Sequence, residues 1–138
     1  MNVFAIVDIS TLKEHEEVDP KRLKELKKKI ESDGVLRMPI VIDRGSNIII
    51  DGHHRFAAIK ELGYKKIPAV FIDYSTPRVI VRSWRKNCRV TKEMIIKAGL
   101  RGKKLPPKTS KHMIVTKGKI KHISILERKI NTPLGRLK

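Results

Sequence analysis

The sequence is poor in cysteine and in aromatic residues. Cys88 is the only cysteine among 138 residues, which excludes an internal disulfide and a zinc site built from cysteines. Aromatic residues make up 4% of the chain, so aliphatic side chains must fill the core, and a hydrophobic content of 40% is sufficient for one. Many proteins that bind single-stranded nucleic acids stack the bases on aromatic side chains, and this chain offers few.

Long apolar runs are missing as well. No run reaches the length that crosses a membrane, and the stretch Met1-Asn2-Val3-Phe4 has neither the charged region nor the cleavage site of a secretory signal. From these two features we expect a cytoplasmic protein without membrane contact.

Acidic residues are few relative to basic ones. The chain has 14 Asp and Glu against 32 Lys and Arg, which gives a net charge of +18. This excess suggests contact with a polyanion, either a nucleic acid or the phosphates of a nucleotide. The lysine-rich surface of a hyperthermophilic protein explains the charge equally well, because the basic residues are spread along the whole chain.

Short strands and helices follow one another without regular βαβ order, which predicts an α+β domain with a small mixed sheet and flanking helices. Asp19-Pro20 and Asp33-Gly34 mark the two ends of a first helix. Thr91 is predicted to cap a helix from Lys92 to Ala98 that stops at Gly99, and residues 120–126 are predicted to form a strand. We expect one domain over residues 1–116 and a basic C-terminal extension over residues 117–138.

The most informative stretch is a polar turn between a strand and a helix, Asp51-Gly52-His53-His54-Arg55. The β-branched residues before it predict a buried strand, and the apolar residues after it have helical spacing. The start of a helix presents unpaired backbone N–H groups and partial positive charge, so the histidines and arginine there predict an anion site, most simply for phosphate. Helix capping by Asp51 is the structural alternative, and metal binding is disfavoured because adjacent histidine side chains diverge.

Three other patches contain side chains that suit chemistry. Glu16, in the loop His15-Glu16-Glu17, is a candidate general base, with a solvated acidic loop as the alternative. The segment Lys108-Thr109-Ser110-Lys111-His112 places hydroxyl groups between cations, which suits a phosphate or a small zwitterion but also a plain basic loop. Ser83-Trp84 contains the single tryptophan, which is either a core residue or the wall of a pocket.

The turn and the upstream Gly34-Val35-Leu36-Arg37-Met38-Pro39-Ile40 resemble the ParB/sulfiredoxin superfamily over about Phe4 to Tyr74. Partition proteins of that superfamily have Gly-Glu-Arg-Arg where this chain has Gly52-His53-His54-Arg55, and sulfiredoxins have a cysteine where His53 stands. Four motifs occur in the order found in archaeal free L-serine kinases. They are His15-Glu16, the polar turn, Ser83-Trp84 and Pro107-Lys108-Thr109-Ser110-Lys111-His112.

This resemblance implies a ParB/sulfiredoxin-like fold and phosphoryl transfer from ATP or ADP to free L-serine, giving O-phospho-L-serine. It also implies a hyperthermophilic archaeal source and a link to cysteine biosynthesis. Glu16 would be the catalytic base, and Asp51 would be catalytic and would hold Mg²⁺, directly or through water. The implied nucleotide ligands are Gly52, His53, His54 and Arg55. The implied serine ligands are Ser83, Trp84, Lys108, Thr109, Ser110, Lys111 and His112.

One position departs from the kinase pattern, and one rival function is left open. Arg22 stands where those kinases have a second acidic residue at the start of the first helix. The rival is a non-catalytic ParB-like module that binds DNA or a nucleotide through its charge. A nuclease is a weaker option, because it needs a metal cluster that the sequence does not offer.

Overall fold

A mixed four-stranded sheet forms the centre of the protein, with helices packed on it. The computed structural model describes residues 3–138. Its helices are α1 (Pro20–Asp33), α2 (His53–Glu61) and α3 (Lys92–Arg101). Its strands are β1 (Val3–Asp8), β2 (Val35–Leu36), β3 (Ile40–Asp43), β4 (Ile49–Asp51), β5 (Lys66–Ile72), β6 (Val79–Ser83), β7 (Ser110–Thr116), β8 (Lys119–His122) and β9 (Thr132–Pro133). The predicted α+β class, with a small mixed sheet and flanking helices, is confirmed.

The strand order explains how the polar turn reaches an edge of the sheet. The central sheet has the order β1-β5-β3-β4, and β6-β7-β8 form a separate antiparallel sheet. Strand β3 is parallel to β5 and antiparallel to β4. A parallel pair needs a crossover connection, and here the hairpin to β4 followed by α2 provides it. The turn therefore lies at the end of edge strand β4, where α2 begins.

Strand β3 is buried on both of its faces. Ile40 and Ile42 pack into a cluster with α1 and α2, whereas Val41 packs into a second cluster with α3 and the smaller sheet. All three side chains are fully buried. Successive strand residues point to opposite faces, so a continuous apolar run is what a strand covered on both sides requires.

The ends of α1 follow the sequence signals, but the end of α3 does not. The Asp19 carboxylate accepts a hydrogen bond from Lys21 N, and Gly34 closes α1 with a φ of 71°. The predicted end of α3 at Gly99 is wrong, because the helix continues to Arg101. A Cβ on Gly99 would lie 2.7 Å from the side chain of Ile48, so close packing explains this glycine.

Residues 117–138 contribute one strand to the β6-β7-β8 sheet, one strand to a two-stranded sheet with β2, and apolar side chains to the core. The predicted strand over 120–126 is only partly correct, since β8 ends at His122 and a 3-10 turn follows over Ile123–Leu126. Strand β9 pairs with β2, and Leu134 and Leu137 belong to the cluster around α1 and α2. The division of the chain at residue 116 stays a prediction.

Within residues 3–138, no helix has both the length and the apolar character that crossing a membrane requires.

Candidate active site

Most of the predicted site residues line one open cavity of about 850 Å³. The polar turn, the loop before α1, the start of β7 and the segment after β8 surround it. The lining residues are Glu16, Arg22, Glu25, Leu26, Lys29, Ile50, Asp51, Gly52, His53, His54, Arg55, Trp84, Lys108, Ser110, His112, His122, Ser124 and Glu127. Ser83, Thr109 and Lys111 were predicted as site residues and do not line this cavity.

The backbone of the polar turn has the geometry of an anion site. Gly52 precedes α2 with a φ of 103°, and a Cβ there would lie 2.6 Å from Ile40 Cγ2, so only glycine fits. The first intrahelical hydrogen bond runs from Phe56 N to Gly52 O. The N–H groups of residues 53–55 therefore have no acceptor within the helix and are available to an anion.

The two histidines of the turn hold neighbouring segments in place. His53 Nε2 accepts a hydrogen bond of 3.1 Å from the backbone N–H of His15. His54 Nε2 accepts one of 3.0 Å from the backbone N–H of Asp19, at the start of α1. The predicted role of both side chains as phosphate ligands stays a prediction. The contacts show that they tie the loop and α1 to the turn.

Arg55 is held by two carboxylates. Its Nη1 lies 2.8 Å from Glu127 Oε1, and its Nη2 lies 3.0 Å from Glu127 Oε2 and 3.3 Å from Asp51 Oδ2. Burial raises the pKa of Glu127, as does its contact with Asp51, while the Arg55 charge lowers it. The sequence reasoning missed Glu127. The available signal was its position as the only acidic residue in the basic stretch from Gly118 to Lys138.

Glu16 is partly buried and is fixed by β7. Its Oε1 accepts hydrogen bonds of 2.9 Å from Ser110 N and 2.8 Å from Ser110 Oγ. Burial raises the pKa of Glu16 above its usual value, although the hydrogen bonds from Ser110 and the amides of Lys108 and Thr109 oppose that shift. A carboxylate with a raised pKa in a cavity has the properties of a general base.

Three buried histidines lie behind Glu16 and the turn. The His15 ring centroid is 4.4 Å from that of His53 and 5.7 Å from that of His112. His112 Nε2 lies 2.8 Å from the hydroxyl oxygen of Tyr74, which the sequence reasoning did not consider. Burial lowers the pKa of His15 to about 4 and holds the pKa values of His53 and His112 well below the ordinary value. The rings are therefore neutral near pH 7.

The remaining predicted residues lie at the mouth of the cavity or beside it. Trp84 is 54% exposed, and Lys111 Nζ lies 4.4 Å from the centroid of its ring. Ser83 is paired with Ser110 in the register of β6 and β7, which explains why two distant motifs meet. The Thr109 hydroxyl donates to Pro106 O at 2.6 Å and shapes the loop before β7.

Charges of both signs line the cavity. The basic residues include Arg22, Lys29 and Lys108, and the acidic residues include Glu16, Asp51 and Glu127, of which the last two both contact Arg55. Among residues 3–138, no group of three or more His, Cys, Asp or Glu side chains is arranged to hold a metal ion. A cation beside Asp51 would need further oxygen ligands from a bound molecule, which matches the preference of Mg²⁺ for carboxylates together with phosphates.

Residues 3–88 match the model of the ParB N-terminal domain, and the chain belongs to that family. The ATP-dependent L-serine kinase of Staphylothermus marinus is 48% identical over 83 residues, which cover 57% of this chain and 33% of that protein. The ADP-dependent L-serine kinase of Thermococcus kodakarensis is 29% identical over 85 residues, which cover 59% of this chain and 35% of that protein. The chain thus spans about a third of the length of the curated relatives it matches.

A solved structure of a free serine kinase in complex with AMP has the same fold. It superposes with a TM-score of 0.80 at 17% identity, and the match covers 98% of this chain and 93% of that chain. The agreement includes residues 117–138, because nearly the whole chain is matched.

Proposed function

We propose that this protein is an L-serine kinase that transfers the γ-phosphoryl group of ATP to the side-chain hydroxyl of free L-serine. The observation that carries the proposal is the position of Glu16, a partly buried carboxylate that lines the same cavity as the N–H groups at the start of α2. The relatives support this function. The ATP-dependent kinase is more similar to this chain than the ADP-dependent one, which favours ATP as the donor.

Glu16 acts as the general base in this proposal. Its carboxylate takes the proton of the serine hydroxyl while that oxygen forms a bond to the γ-phosphorus. The bond from the γ-phosphorus to the bridging oxygen breaks, and ADP leaves with the electron pair. Such a transfer depends mainly on in-line positioning and on stabilisation of the phosphoryl charge, so the protein need supply little covalent chemistry.

The nucleotide phosphates bind at the turn. The N–H groups of residues 53–55 and the dipole of α2 favour negative charge there, and Arg22, Lys29 and Lys108 add positive charge around the cavity. Arg55 contributes indirectly, because Glu127 and Asp51 already occupy its guanidinium group. Arg22 stands at a position where the resemblance implies an acidic residue, and here it lines the cavity in which the phosphates would bind.

Asp51 would hold Mg²⁺, directly or through water, together with oxygens of the nucleotide, while Glu127 keeps both of its oxygens on Arg55. Bound there, the ion would neutralise charge on the phosphates. In the protein alone, the two carboxylates share Arg55, which keeps Asp51 at the edge of the cavity beside the turn.

The serine substrate binds near β7 and Trp84. Lys108 lines the cavity, and its ammonium group would pair with the substrate carboxylate. Trp84 lines the cavity and would close the pocket over the substrate, and Lys111 Nζ lies 4.4 Å from the centroid of its ring. Thr109 and His112 act through packing, because their polar atoms already have protein partners.

The decisive experiment is an assay for O-phosphoserine. The protein is incubated with Mg²⁺ and L-serine, with either ATP or ADP, and the product is identified by mass spectrometry. We expect O-phosphoserine that depends on both substrates, with faster formation from ATP. Nucleotide hydrolysis without phosphoserine, or no consumption of either nucleotide, would overturn the proposal.

Glu16→Gln provides the matching variant, and Glu17→Gln is its control. Glu17 is the exposed neighbour of Glu16, so its substitution changes the charge of the same loop without touching the cavity. We expect Glu16→Gln to lower the rate by roughly 10²- to 10⁴-fold, because general-base catalysis is lost, while calorimetry shows ATP binding within about twofold of wild type. Glu17→Gln should retain the wild-type rate.

Binding of nucleic acid is a second candidate, and the net charge of +18 favours it. A protein that binds DNA through phosphate contacts loses affinity steeply as salt is added. Titration of a labelled duplex at increasing salt concentrations tests this function independently. An association constant whose logarithm falls linearly with the logarithm of the salt concentration would support binding of DNA. No binding at low salt would exclude this function.

A further inference from the structure

Ser110 lies between the proposed base and a buried histidine. Its Oγ is 2.8 Å from Glu16 Oε1 on one side and 3.1 Å from His15 Nε2 on the other. A serine hydroxyl has one hydrogen and can donate it in only one of these directions at a time. The direction in which it donates therefore depends on which of its two neighbours needs the hydrogen.

The hydrogen-bond partners of His15 determine its tautomer. Its Nδ1 lies 2.7 Å from the backbone oxygen of Ile49, which can only accept, so Nδ1 must bear a hydrogen. The ring is fully buried and neutral near pH 7. Its Nε2 consequently has no hydrogen and can only accept one, and Ser110 Oγ is the hydroxyl within reach.

We propose that Ser110 is a positioning residue whose hydroxyl switches between Glu16 and His15 as Glu16 gains and loses its proton. The inference rests on the proposed function only for the identity of Glu16 as the base. When Glu16 is ionised, Ser110 Oγ donates to Glu16 Oε1. When Glu16 Oε1 is protonated, its O–H donates to Ser110 Oγ. The Ser110 hydroxyl then rotates and donates its own hydrogen to His15 Nε2. No proton leaves Ser110, so the count of protons balances at each step.

The switch keeps the carboxyl group in one place throughout the reaction. Ser110 N also donates to Glu16 Oε1, so the backbone of β7 fixes the carboxyl group while the hydroxyl rotates. Without His15, the protonated form of Glu16 would leave the hydroxyl of Ser110 with no acceptor on that side. In this arrangement Ser110 positions the proposed base, Glu16, whereas the family resemblance implied that Ser110 contacts the substrate.

Several other titratable groups lie near Glu16, Ser110 and His15. The rings of His53 and His112 lie against the ring of His15, and both are neutral near pH 7 for the same reason of burial. Lys104 repels a proton on His53, and Lys108 approaches Glu16 through its backbone amide. None of these groups replaces Ser110 Oγ, because that hydroxyl lies within hydrogen-bond distance of both Glu16 Oε1 and His15 Nε2.

Nuclear magnetic resonance of the protein without substrates tests the switch. The Glu16 carboxyl ¹³C signal and the His15 Nε2 ¹⁵N signal are followed between pH 4 and 8. We expect Glu16 to titrate above the usual carboxyl range and the Nε2 signal to shift at the same midpoint, with the hydrogen remaining on Nδ1. His112 Nε2, which is bonded to Tyr74, is the internal control and should not respond at that midpoint. A constant Nε2 signal through the titration of Glu16 would overturn the inference.

Two substitutions separate the hydroxyl from the rest of the side chain. In Ser110→Ala, the His15 Nε2 signal should no longer shift at the midpoint of the Glu16 titration. The acidic limb of the pH profile of kcat/KM should also move to higher pH, because a hydrogen bond that lowers the pKa of Glu16 is lost. We expect kcat to fall about tenfold with KM for serine changed less than twofold, and Ser110→Thr to restore both. A large rise in KM with unchanged kcat would assign Ser110 to the substrate and overturn the inference.

The two proposals fail in different ways. Linked titration of Glu16 and His15 in a protein that forms no O-phosphoserine would overturn the proposed kinase function and leave the switch intact. Formation of O-phosphoserine with unlinked titrations would overturn the switch alone.

Discussion

Glu127 Oε1 lies 2.8 Å from Arg55 Nη1, and this ion pair joins the segment after β8 to the first turn of α2. The Glu127 side chain is 3% exposed and that of Arg55 is 18% exposed, so water screens the pair only weakly. The two residues are 72 positions apart in sequence. The contact ties the polar turn to the C-terminal segment that contains Glu127.

Removal of Glu127 should therefore destabilise the protein strongly. Glu127→Ala leaves the Arg55 guanidinium buried with only Asp51 as its partner, and we expect the free energy of unfolding to fall by about 3 kcal/mol. Glu61→Ala breaks the Lys27–Glu61 pair, whose side chains are 31% and 50% exposed, and serves as the control. We expect it to cost less than about 1 kcal/mol. Urea denaturation measures both, and equal losses would contradict the assigned importance of burial.

Close packing predicts that Gly99 tolerates no side chain. In Gly99→Ala, the new Cβ would lie 2.7 Å from Ile48 Cδ1, so α3 or the strand must move, at a cost of about 1–3 kcal/mol. Gly135→Ala is the control, because nothing lies within 4 Å of its Cβ position. We expect that change to stay within about 0.5 kcal/mol. If the contact is the cause, combining Gly99→Ala with Ile48→Ala should cost less than the sum of the two single losses.

The buried histidines predict a loss of stability in mild acid. Burial lowers the pKa of His15 from 6.5 to about 4, so the unfolded chain binds more protons than the folded one between these values. Stability is then fully present above pH 6.5 and is lost as the pH falls toward 4. His15 alone accounts for about 3 kcal/mol at the end of that range, and His53 and His112 add in the same direction. Urea midpoints that do not change between pH 6.5 and 5 would contradict this.

Glu16 should change the stability of the protein with pH in the opposite direction to the histidines. Burial raises its pKa above the unfolded value of 4.5, so the folded chain holds the proton more tightly and stability falls as the pH rises through this range. We expect Glu16→Gln to gain stability relative to wild type between pH 4 and pH 8. Thermal melting of both proteins across this range measures the difference, with Glu17→Gln as the control. A difference independent of pH would show that the Glu16 carboxyl group titrates in the same way in the folded and unfolded states.

Elements with local signals were predictable from the sequence. Asp19 and Gly34 fix the ends of α1 because a capping carboxylate and a left-handed glycine act through their immediate neighbours. The polar turn was likewise recognisable from the residues on either side of it. The prediction for Gly99 was wrong because this glycine is needed for close packing against Ile48, which lies far away in the sequence.

Contacts between distant segments carried no such signal. The two-residue strands β2 and β9 are too short for any periodic pattern, and their pairing depends on the whole fold. The partners of Arg55 and His112 were also invisible in the sequence, because Glu127 and Tyr74 are 72 and 38 positions away. The sequence therefore identified many of the cavity residues but not the hydrogen bonds that orient them.

The pairing of β2 with β9 has a consequence for how the protein is made. Val35 pairs with Pro133, and the core around α1 and α2 is completed by Leu134 and Leu137. A ribosome adds about 5–20 residues per second, so β2 waits on the order of ten seconds for its partner. During that interval the nascent chain exposes an incomplete apolar surface, which can contact other chains until residue 137 has left the ribosome and packed.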